Sequence, residues 1–198
     1  MTRTGTAGAS RPASSVLRRA TVPWDVPVRL VDRPAGPVTR HRVDPGVALP
    51  GVPAVDVHVA TPPAGTNGTQ APVLVALEPV RDAPGPDVPA DGTLADLLGA
   101  LAVDAHGTVP VGVAGTPFTR AVLAALAAVP AGRTLTYAAL AAAAGRPRAV
   151  RAAATVMARN RVPLVLPCHR IVPTSGGVGR YGWGADVKRV LLAAETHP

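Results

Sequence analysis

The only thiol of this 198-residue chain, Cys168, stands in the run Pro167, Cys168, His169, Arg170. A thiol attacks as its thiolate, and a neighbouring imidazole, guanidinium or helix end can lower its pKa. A lone cysteine after an apolar stretch is more often a buried, inert small hydrophobe. The adjacent histidine marks Cys168 as a nucleophile candidate, although the pair alone would equally suit a cysteine hydrolase. A single cysteine cannot close an internal disulfide or anchor a cysteine-rich zinc site, so no metal and no cofactor are expected.

The charge around that thiol is lopsided. The chain carries a formal net charge of +8, with 20 Lys and Arg against 12 Asp and Glu. Residues 1–115 hold 9 basic and 10 acidic side chains, a net of −1, whereas residues 116–198 hold 11 and 2, a net of +9. Four of the five aromatic residues, Phe118, Tyr137, Tyr181 and Trp183, fall in the same basic part. A basic surface can be mere solvation, but basic charge joined to aromatics favours a polyanion partner, with nucleic acid foremost. No apolar run approaches the ~20 residues of a membrane span. No apolar block follows Arg3, Arg11, Arg18 and Arg19, so a secretory signal is not expected and a cytoplasmic location is.

The elements that must carry these residues can be read from spacing. Residues 1–20 form a Ser-, Gly- and Arg-rich stretch without periodicity and are expected to be a disordered tail. Across residues 21–114, strands are expected at Val26–Val31, Val55–Ala60 and Val73–Leu77, with the Gly- and Pro-rich Thr61–Gly68 as a loop. Thr93 should cap a short helix with Asp96 in its first turn. Together these give a small α/β domain without a chemical signature. From residue 115 to 198 the pattern turns helical. Thr116 and Pro117 open a helix, Thr136 caps a second, and Pro147 opens a third through about Ala158. Val162–Leu166 reads as a strand, Ile171–Gly184 as a glycine-rich hairpin or wing, and Ala185–Glu195 as a last helix. Three helices and a wing suggest a winged helix-turn-helix.

A more specific pattern runs through residues 115–196. Thr134 to Tyr137, then Arg151, Asn160, Pro167 to Arg170, Tyr181 to Gly184 and Leu191 to Glu195 together resemble the O6-alkylguanine-DNA alkyltransferase family. The resemblance implies a ribonuclease-H-like first domain before a winged-helix domain, and single-turnover transfer of an alkyl group from O6-alkylguanine, or O4-alkylthymine, in DNA. The enzyme class implied is a methylated-DNA--[protein]-cysteine S-methyltransferase. It implies Cys168 as acceptor, His169 as base through a water and Glu195 as its orienting carboxylate. Tyr137 would protonate the departing guanine, and Asn160 would brace the active-site turn. Arg151 would enter the base stack, with Thr134, Ala152, Ala154 and Arg159 also against DNA. Met157, Tyr181, Gly182 and Trp183 would line the base pocket. The partner implied is double-stranded DNA, met in the minor groove with base flipping, by a monomer. If Cys168 and His169 lie on extended chain, they point to opposite sides, which suits a water-mediated relay.

The sequence departs from the family at Thr119, at Val122 and Leu123, and at Arg159-Asn160-Arg161, where Arg161 would add charge near DNA. Two other readings compete. A lesion-sensing relative without repair activity lacks the acceptor cysteine, which this chain has. A non-catalytic winged-helix regulator explains the charge and helices but not the Cys168 turn with Tyr137 and Glu195. Trp183, where many family members have a small residue, is expected to favour methyl over benzyl adducts; its plainer role is to pack the wing.

Overall fold

The computed structural model describes residues 22, 24–43, 54–61, 72–80, 93–101 and 107–196. The tail expected over residues 1–20 and almost all of the loop expected at Thr61–Gly68 lie outside them.

The first part is a five-stranded mixed sheet. Strands β1 (Val28–Asp32), β2 (Val38–Val43), β3 (Val55–Ala60), β4 (Val73–Pro79) and β5 (Val109–Val113) stand in the order β1-β5-β4-β3-β2. Strands β2 to β4 are antiparallel; β5 runs parallel to both β4 and β1. Helix α1 (Leu94–Leu101) lies in sequence between β4 and β5 and buries Leu94, Leu98 and Leu101, which share one face at helical spacing. Its start is a reciprocal cap: Asp96 N–H donates to the Thr93 hydroxyl, while the Thr93 hydroxyl and amide both donate to the Asp96 carboxylate. Two strands went unread in the sequence. β2 is largely exposed, so it lacks an apolar face, and β5, Val-Pro-Val-Gly-Val, is broken in pattern by Pro110 and Gly112.

The second part is helical. Helix α2 (Pro117–Ala127) has Thr116 as its cap, the hydroxyl accepting from Thr119 N–H. Helix α3 (Tyr137–Ala143) is capped by Thr136, and helix α5 (Ala185–Thr196) closes the described chain. Helix α4 (Val150–Ala158) starts three residues beyond Pro147, which sits in the preceding turn, so the expected start there is corrected. The expected strand at Val162–Leu166 is a turn. Leu164 has φ 73°, Leu166 N–H returns to Val162 C=O at 2.9 Å, and Pro163 and Pro167 have no N–H to offer a ladder. Nor do residues 171–184 form a hairpin. Only β7 (Ile171–Val172) pairs, in parallel with β6 (Leu135–Thr136), and Gly176, Gly177, Gly179 and Gly184 take positive φ.

One contiguous apolar cluster runs from Val22 and Trp24 through β3 to β5 and α1 into α2, α3, α4 and α5. Polar contacts cross the same seam. Leu77 N–H donates to Arg161 C=O at 2.7 Å, and Arg161 meets Glu78 at 3.1 Å. Arg161, still largely exposed, thus meets an acidic partner on the first part's sheet. Among the described residues no helix is long and apolar enough to cross a membrane.

Candidate active site

Cys168 opens a three-residue 3-10 turn, Cys168–Arg170, held by Arg170 N–H to Pro167 C=O at 2.9 Å. The premise of an extended chain there is corrected. Successive side chains on such a turn splay by roughly 120°. Cys168 is therefore half-buried while His169 and Arg170 turn fully inward. The turn before it is pinned by Asn160, whose amide donates to Leu166 C=O at 2.8 Å and whose oxygen accepts from Val162 N–H at 3.0 Å.

Glu195, on the last turn of α5, is buried rather than solvated. His169 Nε2 lies 2.8 Å from Glu195 Oε1. Burial alone would raise the carboxyl, but hydrogen bonds from His169 and Arg170 with their charges bring Glu195 down to about 2. Glu195 is thus an anion and can only accept, so the proton of neutral His169 sits on Nε2. The Nδ1 atom keeps its lone pair, is buried, and meets no protein donor or acceptor. Burial also lowers the His169 pKa, against the pull of Glu195, so the imidazole rests neutral near pH 7.

Burial raises the Cys168 thiol, while the Asn160 hydrogen bond and the Lys188 charge draw it back down. Lys188, a residue the sequence reading passed over, is fully buried in α5 and donates through Nζ to Ile171 C=O. Its only sequence mark was a cation on the apolar face of a helix. Burial lowers its pKa and the Cys168 charge raises it. Tyr181 packs edge-on to His169 at 6.4 Å and to Trp183 at 6.2 Å between ring centroids. Tyr137, at the first position of α3, is half-buried and kept protonated by burial and the Cys168 charge. Cys168, His169, Glu195, Asn160, Tyr181 and Trp183 thus gather around one turn, with Tyr137 within electrostatic reach. Gly182 is exposed beside them, and Met157 lies on the buried face of α4.

Arg151, Ala152 and Arg159 are exposed on α4, Ala154 is half-buried, and Thr134 is exposed ahead of β6. Two of the eleven cations of residues 116–198, Arg170 and Lys188, are inside the protein. Arg120, Arg161 and Arg189 are paired with Asp32, Glu78 and Asp186. That leaves Arg133, Arg146, Arg148, Arg151, Arg159 and Arg180 exposed, with no acidic partner among the described residues. Arg146 additionally stacks over Phe118, 5.7 Å from its ring centroid. A cleft of about 530 Å³ lies elsewhere among the described residues. It lies along the seam between Arg33, Val113, Ala152 and Arg159 and reaches Asn160 from behind without including Cys168. The thiol's chemistry, not this cleft's size, marks the site.

Comparison with known proteins agrees with the geometry. Residues 117–197 match the family described as 6-O-methylguanine DNA methyltransferase, DNA binding domain. The bifunctional transcriptional activator/DNA repair enzyme Ada of Escherichia coli is 42% identical over 89 residues, 45% of this chain and 25% of that protein. The inducible methylated-DNA--protein-cysteine methyltransferase of Bacillus subtilis is 40% identical over 88 residues, 44% of this chain and 49% of that one. The chain thus matches only a quarter to a half of the length of these relatives. Mycobacterium tuberculosis OGT in complex with DNA superposes with a TM-score of 0.55 at 26% identity, covering 79% of this chain and 92% of that one. The family match is confined to the basic part, residues 117–197, while the structural match extends over the sheet as well.

Proposed function

We propose that this chain repairs O6-alkylguanine in duplex DNA by taking the alkyl group onto Cys168, once per molecule. The observation that carries the reading is a sole, half-buried thiol on a turn whose next residue is a buried neutral histidine oriented by an ionised glutamate.

The thiol proton leaves through one water to Nδ1 of His169, the ring atom that Glu195 leaves open. Glu195 stabilises the imidazolium so formed. The thiolate sulfur attacks the saturated alkyl carbon in line; an S–C bond forms, and the C–O6 bond breaks with its electron pair passing to the guanine. Tyr137, protonated because burial disfavours its anion, supplies a proton at ring nitrogen N3. In net terms the thiol proton replaces the alkyl group on guanine. The product thioether has no leaving group that water can displace, so turnover stops at one.

Access to O6 requires the base to leave the stack. Helix α4, with small Ala152 and Ala154 beside Arg151, suits close approach in the minor groove, and Arg151 fills the gap left by the flipped base. In this reading α2 to α4 and the turn over residues 171–184 serve as a winged helix-turn-helix, residues 21–114 as a ribonuclease-H-like domain, and the protein acts as a cytoplasmic monomer. The test is the mass of the intact protein after incubation with a methylguanine oligonucleotide. A gain of one methyl, located on Cys168 and absent in Cys168→Ala, is expected; an unmodified Cys168 after repair, or repeated turnover, overturns the reading.

A further inference from the structure

The carboxylate that orients His169 is not served by the second part of the chain alone. Trp24, buried just before β1, donates its indole N–H to Glu195 Oε1 at 3.1 Å. The same oxygen accepts from His169 Nε2 at 2.8 Å and from the Arg170 guanidinium at 2.7 Å. Arg170 in turn divides its charge: its Nη2 also donates to Asp25 Oδ1 at 3.0 Å, and its Nη1 donates to Val129 C=O at 2.6 Å. Asp25 N–H closes a turn onto Val22 C=O, which fixes Trp24 and Asp25 as a unit. Both residues lie outside the stretch 117–197 that matches the family.

The geometry points to Trp24 and Asp25 as positioning residues of the relay, the first part's contribution to the His169–Glu195 couple. They act with opposite sign. An oxygen with two lone pairs is shared by donors from three residues, so the indole N–H weakens what Glu195 can offer His169. Asp25 occupies part of Arg170, so less of that cation is spent on neutralising Glu195. With Asp25 the set Arg170, Glu195 and Asp25 carries a net −1 beside the imidazole; without it the set is neutral. The remaining groups that bear on His169 are Lys188 from α5, which donates to Ile171 C=O, and the ring of Tyr181.

This inference rests on the proposed alkyl transfer for its meaning, but its test does not. The imidazole of His169 is titrated by NMR on the full chain labelled at histidine, with His169→Gln assigning the resonance among five histidines. Asp25→Asn is near-isosteric at a position one-third exposed, so it should fold. It should lower the His169 midpoint by about 0.5 pH unit, a fraction of the ~1–3 units that a directly contacting charge produces. Asp25→Glu should restore it. Trp24→Phe keeps an aromatic ring and removes the donor; it should raise the midpoint by a similar amount. The single-turnover transfer rate against pH should move in the same two directions. Midpoints that stay at the wild-type value, or that move together, overturn the inference; should Trp24→Phe not fold, the Asp25→Asn and Asp25→Glu pair decides alone. Wild-type protein that titrates as described but transfers no methyl would instead overturn the proposed function and leave the positioning intact.

Discussion

Replacing Glu195 by Gln tests whether the buried carboxylate holds the site together through charge. Arg170 is 2% exposed, and three of its contacts end on Glu195 oxygens. A glutamine there keeps the shape but removes the charge, and turns an NH2 donor toward donors from Arg170, Trp24 or His169. Breaking one side of a buried ion pair costs about 3–5 kcal/mol. The pKa gives a separate figure: a fall from 4.5 to about 2 is worth about 3 kcal/mol of stability at neutral pH. The two agree, so Glu195→Gln should cost about 3 kcal/mol in denaturant unfolding at pH 7.5. At that pH His169 is neutral in both folded and unfolded chains.

Acid supplies the second half of the test. Because the folded pKa of Glu195 is depressed, its contribution is fully present above pH 4.5 and is lost as pH falls toward about 2. With both proteins carrying His169→Gln, so that only Glu195 titrates at this spot, the Arg170 contacts still hold the carboxyl down, and the gap between them should narrow as pH falls below 4.5. A cost below about 1 kcal/mol at pH 7.5, or a gap that stays the same size below pH 4.5, would refute the reasoning and make Glu195 a shape-filler.

Arg151→Ala should slow repair in duplex DNA more than in single strands, where extruding the base costs less; equal losses would make Arg151 a phosphate contact only. Six exposed arginines without acidic partners among the described residues bound the salt dependence of duplex binding by residues 116–198. Its log–log slope should be no steeper than about −5, at about −0.9 per phosphate contact, and a steeper slope would mean cations outside this set take part. Trp183→Gly should raise benzyl transfer without a matching gain for methyl, and equal slowing of both would assign Trp183 to packing against Tyr181.

Part of the site stood out because its residues are rare in their surroundings: Cys168 is the only thiol and Glu195 the only glutamate of residues 116–198. Their grouping with His169 came from the family resemblance, since 26 residues of sequence separate His169 from Glu195. The caps at Thr93, Thr116 and Thr136 are local chemistry and were readable for that reason. What could not be read depended on distant partners. Nothing local to Arg161 points to its partner Glu78, 83 residues away. Val162–Leu166 has a strand's composition, but Pro163, the following Pro167 and the positive φ of Leu164 fold it into a turn. Lys188 and Arg170 counted as surface charge in the sequence, and only their burial removes them from it.

The bond from Trp24 to Glu195 spans 171 residues, and that from Asp25 to Arg170 spans 145. Synthesis at about 5–20 residues per second therefore separates the two ends by on the order of ten to thirty seconds. The meander of β2, β3 and β4 can pair as soon as it emerges, whereas the wiring of His169 must wait for the final turn of α5. Cys168 is made before Glu195, so for a short interval the chain carries its thiol without the carboxylate that meets His169. Until the last turn of α5 is made, His169 has no carboxylate behind it.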